Sequence, residues 1–298
     1  MPVRRRAARA RALLWGAMAA PAGLAGQAAP PPAVLLVTAH PDDDAAFAGA
    51  VYQITHQLGG AVDLALVTDG SGGFRFATLA EPIYGLALTD EAVARRHLPA
   101  IRKRELMAGG AIVGIRNYFF LDQPDPHFTL DADSVLRAVW DSAAVRRRLS
   151  EIMERGGYDL VFGLLPFAAT HGHHKGATIL ALRAAQSLPA ERRPLVLGGF
   201  PCSLGDAPLR FDGLAGFPLT RVAGGEALTR FDRTQQLGHE GRLDFRIIGN
   251  WVIAEHKSQG TMQLLMNRGD VECYWYFDAN GDAGRGRVTD LFDALRVP

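Results

Sequence analysis

Residues 33–44 read AVLLVTAHPDDD, an unbroken apolar run that ends in one imidazole and three carboxylates. Such a run is typical of a strand that is buried on both faces of a parallel sheet. Residues 45–52, which follow, are small or apolar and suit a helix. The polar cluster therefore lies at the C-terminal end of a strand, where open α/β sheets bind their ligands. Three adjacent acids repel one another unless a helix N-terminus or a cation stabilises them.

A helix cap is the simplest explanation of the three carboxylates. Asp42, Asp43 or Asp44 could accept hydrogen bonds at the start of the helix, with Pro41 shaping the turn. A cap needs one acid and no histidine, so this explanation leaves His40 and two acids unused. These unused polar side chains favour a ligand site.

A second polar cluster follows a second strand-like run. Residues 158–165 read YDLVFGLL, and a five-residue connection leads to His171, His173 and His174 at the start of a predicted helix. Because His171 and His174 are three residues apart, both can face one point at a helix start. Imidazole and carboxylate are good ligands for a divalent metal ion. Two histidines and one carboxylate would leave a position open for water, as in catalytic metal sites.

The two clusters together resemble the PIG-L/LmbE family of metal-dependent de-N-acetylases. HPDD at residues 40–43 and the later His-x-x-His carry most of the resemblance. Arg-x-x-Glu at residues 102–105 and HKSQ at residues 256–259 match further family segments in the same order. The matches span residues 34–259. They imply a Rossmann-like α/β fold and hydrolysis of an N-acetyl group, usually on a glucosamine unit.

The resemblance also implies a metal centre and its ligands. His40, Asp43 and His174 would hold the ion, which we expect to be Zn²⁺ or another divalent metal such as Fe²⁺. Such an ion lowers the pKa of a bound water and polarises an amide carbonyl.

Four further residues receive roles from the resemblance. Asp42 would be the general base that takes the proton of water, and His171, in its protonated form, would stabilise the oxyanion. Arg102 and Asp125 match residues on the substrate side, with Asp125 contacting sugar hydroxyls. Either Asp42 or His171 could protonate the leaving amine, and the sequence leaves both open.

Two positions depart from the family pattern. Asp44 replaces the usual Glu and is one methylene shorter, which suits a supporting role. His173 stands where Asp is common, so the acid expected beside His171 is absent from this position.

Strands alternate with helices along the chain, which predicts a mainly parallel sheet. The fold class is therefore α/β, a Rossmann-like three-layer sandwich formed by a single domain, residues 31–298. Residues 69–88 and 200–245 are predicted to be long loops that shape the substrate cleft. The predicted strands lie near residues 33–38, 62–68, 117–121, 159–165 and 195–199, and the predicted helices near 45–57, 91–113, 134–155, 174–187 and 250–266.

Residues 1–30 have the features of a signal peptide and a short linker. Five arginines precede an apolar stretch, which Pro21 interrupts, and small residues follow. The stretch is too short for a stable membrane span, and the arginines suggest twin-arginine export. We therefore expect a secreted or periplasmic protein. Cys202 and Cys273 could form a disulfide there or remain free.

The composition fits a soluble enzyme: 48% of the residues are hydrophobic, 21% are charged, and the formal net charge is +1. No basic patch suited to nucleic acid is evident. We predict a secreted metal-dependent hydrolase that deacetylates an N-acetylglucosamine-type small molecule or glycan. Two alternatives are a non-catalytic glycan-binding module on the same fold and a non-haem Fe(II) oxygenase, which would use a β-sandwich. The exact substrate, the native metal and the oligomeric state stay open.

Overall fold

The computed structural model describes residues 30–297, so the predicted signal peptide lies outside the described part of the chain. A seven-stranded sheet forms the centre, in the order β3-β2-β1-β4-β5-β9-β6, and β7 pairs with β8 separately. The strands are β1 (Ala33–Thr38), β2 (Ala61–Thr68), β3 (Ile115–Gln123), β4 (Leu160–Leu164), β5 (Leu195–Cys202), β6 (Thr229–Asp232), β7 (Gln236–Gly238), β8 (Leu243–Asp244) and β9 (Val271–Tyr276).

Helices flank this sheet, and several short 3₁₀ turns connect the elements. The α-helices are α1 (Ala48–His56), α2 (Glu81–Tyr84), α3 (Glu91–Val113), α4 (Ala132–Ser134), α5 (Ser142–Gly156), α6 (Gly172–Gln186), α7 (Arg246–Glu255), α8 (Gly260–Gln263) and α9 (Arg285–Ala294). None of the described helices combines the length and apolar character needed to cross a membrane.

The order of the strands places the two polar clusters side by side. From β1 the chain builds outward through β2 to β3, and it then returns to place β4 on the other side of β1. Strands β1 and β4 are parallel, with Val34 beside Leu160 and Val37 beside Gly163. Connections that leave adjacent parallel strands in opposite directions open a crevice at their C-terminal ends. The segments after β1 and β4 carry the predicted site residues, so both clusters lie at this crevice.

Alternate residues of the central strands pack against opposite helix layers. Leu35 and Val37 of β1 belong to the core beneath α5 and α6. Val34 and Leu36 belong to the core beneath α1, α3, α7 and α9. This period of two explains why β1 has no polar face and gives the three-layer α/β sandwich that the sequence predicts.

Two predicted helices are interrupted in the structure. The helix predicted at 134–155 is divided into α4, a π-helical turn over residues 135–139, and α5. The break falls at Trp140, which adopts an extended backbone; its buried indole donates a hydrogen bond to the Pro124 carbonyl. The helix predicted at 250–266 ends at Glu255, because the backbone of His256 leaves the helical region. At the first break a tertiary contact of one side chain, Trp140, accompanies the departure from the local helical pattern.

The segment predicted as a loop at residues 200–245 contains three short strands, of which β6 joins the central sheet. Strand β9 inserts between β5 and β6 and runs antiparallel to both. The aromatic residues of β9 are buried. Cys202 of β5 and Cys273 of β9 are free thiols in the structure.

Candidate active site

The residues after β1 form a 3₁₀ turn over residues 41–47, with His40 as its N-cap. Asp43 accepts hydrogen bonds through Oδ2 from the backbone N–H groups of Ala39 and His40, each at 2.9 Å. A cap therefore exists, as the simplest explanation of the sequence requires. It occupies only one oxygen of Asp43, and Oδ1 faces the histidines.

The residues after β4 bring a second set of ligand atoms to the same point. His171 is the N-cap of α6, and its Nδ1 accepts a hydrogen bond from the backbone N–H of His173 at 2.9 Å. His174 lies in the first turn of α6. Its Nδ1 is 2.9 Å from the hydroxyl of Thr170, which leaves Nε2 directed at the β1 cluster.

The three predicted ligands fit a divalent cation. Nδ1 of His40 lies 3.0 Å from Nε2 of His174, which lies 3.1 Å from Oδ1 of Asp43. The third side of this triangle, from His40 to Asp43, is 3.8 Å. Ligands about 2.1 Å from a tetrahedral zinc ion are separated by roughly 3.4 Å, so the donor set matches such an ion in both geometry and chemistry. A second possible ligand group, which also uses His40, includes His171 and His173.

Asp42 is held by the predicted substrate-side arginine. Arg102 is 2% exposed and donates from one nitrogen to Oδ1 of Asp42 at 2.6 Å and from another to the Gly70 carbonyl at 2.7 Å. This ion pair fixes the orientation of Asp42 next to Asp43, the predicted ligand. Arg102 is thus placed to position the predicted base, and its predicted contact with substrate stays a prediction.

The surroundings of His171 disfavour the protonated form that the resemblance implies. Burial, together with positive charge on His40, His173 and His174, lowers the pKa of His171 to about 3. The ring is therefore neutral near pH 7. Since its Nδ1 accepts the hydrogen bond from the His173 backbone, the ring proton resides on Nε2. A neutral imidazole with a fixed N–H can still donate to a developing oxyanion.

Asp125 lies inside the site, beside His173. Its Oδ1 is 3.3 Å from Nδ1 of His173 and 3.8 Å from Nε2 of His40. Burial opposes a positive charge on His40, but the carboxylates of Asp125 and Asp43 outweigh it and raise the pKa of His40 to about 10. The two carboxylates therefore strongly favour a positive charge at the position of His40.

The two further motifs, Arg-x-x-Glu at residues 102–105 and HKSQ at residues 256–259, come together behind the site. Nε2 of His256 is 2.8 Å from Oδ1 of Asp44, and both side chains are buried. Glu105 accepts hydrogen bonds from the backbone N–H of Ser258 at 2.9 Å and from its hydroxyl at 2.6 Å. These pairs join the first cluster and α3 to the segment after α7. Asp44, which replaces the usual Glu, thus contacts His256. This contact is consistent with the supporting role that the sequence suggested.

Phe128 was not singled out in the sequence. It is 69% exposed, and its ring meets the His171 ring edge to face at 4.7 Å between centroids. The carbonyl of the neighbouring Thr129 accepts a hydrogen bond from the Gly172 backbone at 2.6 Å. No local pattern marks this residue, because its position depends on the pairing of two loops.

Comparison with known proteins identifies the family. The model of the GlcNAc-PI de-N-acetylase family, PIG-L, matches residues 35–185 of the 298. No curated protein matches the chain.

Solved structures resemble the chain at low identity. An N,N'-diacetylchitobiose deacetylase from Pyrococcus horikoshii, complexed with an inhibitor, is 23% identical, with a TM-score of 0.38, over 51% of this chain and 49% of that one. The chain thus spans about half the length of that protein. A deacetylase of teicoplanin biosynthesis, in complex with teicoplanin, is 18% identical over 82% and 97% of the two chains, with a TM-score of 0.50. GalB, a 4-carboxy-2-hydroxymuconate hydratase from Pseudomonas putida KT2440, is 14% identical over 82% and 95%, with a TM-score of 0.48. At these identities the likeness concerns the fold alone.

Proposed function

The chain belongs to the PIG-L family of GlcNAc-PI de-N-acetylases, and on this premise we propose that it hydrolyses the N-acetyl group of an N-acetylglucosamine-type substrate with the help of a divalent metal. The observation that carries the proposal is the convergence of His40, Asp43 and His174 next to Asp42 and His171. Three ligands, a carboxylate base and an N–H donor are the groups that amide hydrolysis needs.

His40, Asp43 and His174 would hold the metal. A zinc or iron(II) ion bound there would supply Lewis acidity towards the acetamide carbonyl and towards water. The remaining chemistry belongs to the protein. Asp42, oriented by Arg102, takes a proton from the attacking water. His171 donates its Nε2–H to the carbonyl oxygen as negative charge develops there.

We propose that Asp42 also makes the second proton transfer, because the lowered pKa of His171 favours its neutral form. The amine must be protonated to leave, and the sequence leaves Asp42 and His171 as candidates. A histidine with its pKa near 3 has one ring proton, which the oxyanion uses, and it holds no second proton near pH 7. We therefore assign delivery of the proton to Asp42, which has just received one from water.

The two alternatives differ in what supports them. The oxygenase was tied to a β-sandwich, and the central sheet has five parallel strands enclosed by helices, which argues against it. A glycan-binding module on the same fold would bind sugars without releasing acetate. The features of residues 1–30 support export of the mature protein as part of the proposal.

An acetate-release assay tests this function. Purified protein is incubated with a panel of N-acetylated amino sugars, free and in glycans, and acetate is measured with and without a chelator. We expect acetate from at least one sugar, loss of release on chelation, and recovery when Zn²⁺ or Fe²⁺ is restored.

The variant His174→Ala serves as the matched control, because it removes one ligand and retains Asp42 and His171. It should bind little metal and release no acetate. Sugar binding without acetate release from any metal-loaded sample would establish the binding module instead.

A further inference from the structure

We infer that Asp125 and His173 form a positioning pair for the metal ligand His40, and that Asp125 acts through this pair rather than by contacting sugar hydroxyls. The inference rests on the proposed function only in taking His40 as a metal ligand. It concerns the affinity of the site for metal, which can be measured without any substrate.

The pair faces the ring atom of His40 that points away from the other ligands. Nδ1 of His40 faces His174 and Asp43, so Nε2 is its outer atom. Nδ1 of His173 lies 3.2 Å from this Nε2, and Oδ1 of Asp125 lies 3.3 Å from Nδ1 of His173. The three side chains thus form a continuous polar contact that extends from the ligand triangle to a carboxylate.

The pair is enclosed by protein. Asp125 is 5% exposed and His173 is fully buried, with its ring against Trp140 at 5.2 Å between centroids. The backbone N–H of Gly72 donates to Oδ2 of Asp125 at 3.1 Å. A Cβ added to Gly72 would lie 2.6 Å from Oδ1, so the glycine lets the loop close directly over the carboxylate. Both oxygens of Asp125 therefore face protein atoms, which leaves little room for a sugar hydroxyl.

Metal-bound histidines depend on such outer contacts. A histidine that binds metal through one ring nitrogen carries a proton on the other, and an acceptor for that proton fixes the tautomer and the ring orientation and makes the ligand more basic. Here the N–H of His40 can be donated to Nδ1 of His173 at 3.2 Å, and Oδ1 of Asp125, 3.8 Å from the same nitrogen, acts on it through its negative charge. Asp125 contributes the negative charge, and His173 fills the space between the two.

The experiment measures the zinc dissociation constant of each variant by competition with a chromophoric chelator. Removing an outer partner of a metal ligand weakens metal affinity by roughly 10–100-fold. We expect Asp125→Asn to raise the dissociation constant by that factor. At saturating zinc the KM for substrate should change little, because Asp125 does not touch the sugar.

A second substitution gives a rescue. Nδ1 of a histidine and Oδ1 of an aspartate are both one bond beyond Cγ, so His173→Asp places a carboxylate oxygen close to Nε2 of His40. In the His173→Asp background the further change Asp125→Asn should cost much less zinc affinity than it does alone. If Asp125→Asn alone does not fold, the zinc dissociation constants of the double variant and of His173→Asp should differ by less than the roughly 10–100-fold that loss of an outer partner costs.

Asp63→Asn is the matched control, since it also removes a buried, hydrogen-bonded carboxylate but lies near the start of β2, away from the site. Its zinc affinity should equal that of the wild type. Unchanged zinc affinity in Asp125→Asn, with a raised KM, would overturn the inference in favour of a sugar contact. Two zinc ions per chain, falling to one in Asp125→Asn, would overturn it in favour of a second metal site. Absence of acetate release would count against the proposed function and leave the zinc measurement intact.

Discussion

At the residue scale, several side chains of the site divide their polar atoms between the fold and the proposed reaction. Asp43 uses Oδ2 to cap the turn after β1 and presents Oδ1 to the histidines. His171 uses Nδ1 to cap α6, which leaves its Nε2–H for substrate. His174 contacts Thr170 through Nδ1 and directs Nε2 at the ligand triangle. Because each structural contact fixes a ring or carboxylate, the reactive atoms are already oriented.

The variant Asp42→Asn separates binding of metal from proton transfer. Asparagine keeps the size of the side chain and an acceptor for Arg102, but it cannot take a proton. We expect the metal content to stay at the wild-type level and kcat to fall by roughly 10²–10⁴-fold, the usual effect of losing a positioned base. Metal analysis and steady-state kinetics on the same sample measure both quantities.

Asp141→Asn provides the control for this prediction. Asp141 caps α5 by accepting a hydrogen bond from the Ala144 N–H at 2.9 Å, outside the site. Its turnover should remain close to that of the wild type. If Asp42→Asn also keeps turnover within a few-fold, then Asp42 is only a structural residue of the turn.

At the scale of elements, the helix that follows the first cluster is capped by a distant strand. Glu272 of β9 accepts hydrogen bonds from the N–H groups of Gly49 at 2.7 Å and Ala50 at 3.1 Å, which open α1. Arg233 donates to Glu272 at 2.7 Å and to the Ala45 carbonyl at 2.7 Å. Both charged side chains are buried. One ion pair thus joins β9 to the segment between the site and α1.

Breaking this pair should be costly. Glu272→Gln leaves the Arg233 charge buried without an opposite charge, and such a change typically lowers the free energy of unfolding by about 3–5 kcal/mol. Urea denaturation measures the loss. Replacing both residues, as Glu272→Gln with Arg233→Met, should cost less than the sum of the single changes. Strict additivity would show that the two charges contribute independently.

The sequence predicts the elements whose pattern is local. The apolar run of β1 and the bounds of α3, residues 91–113, agree with the structure. The contact of Glu272 with Gly49 joins residues 223 positions apart and has no local pattern. The insertion of β9 between β5 and β6 is hidden for the same reason. Among the candidate site residues, the sequence placed His40 and His174 at adjacent strand ends, but the burial of Asp125 depends on a loop closure that only the structure reveals.

At the scale of the whole molecule, the sheet has a polar cluster at its other end, opposite the candidate site. Asp63, near the start of β2, accepts hydrogen bonds from Arg116 at 2.8 and 3.0 Å, from Asn117 at 3.0 Å and from the hydroxyl of Tyr158 at 2.6 Å. Arg116 and Asn117 belong to β3, and Tyr158 directly precedes β4. One carboxylate therefore connects three segments of the sheet at the edge opposite the candidate site.

This carboxylate should make the free energy of unfolding fall at acidic pH. Burial alone would raise the pKa of Asp63, but the hydrogen bonds from Arg116 and Tyr158 outweigh it and lower the pKa below the ordinary value of 3.8. A depressed pKa means that the stabilisation is fully present above the unfolded value and is lost as the pH falls through the folded value.

The variant Asp63→Asn tests this dependence. It lacks the titrating group and should lower the free energy of unfolding at pH 7 by about 1–3 kcal/mol, because buried donors lose a charged acceptor. The difference from the wild type should shrink as the pH falls below 3.8, since the wild type then loses the same interaction by protonation. Urea denaturation at a series of pH values from 7 to about 3 measures both free energies. A difference that stays constant over this range would mean that the Asp63 carboxylate keeps the same pKa when the chain unfolds.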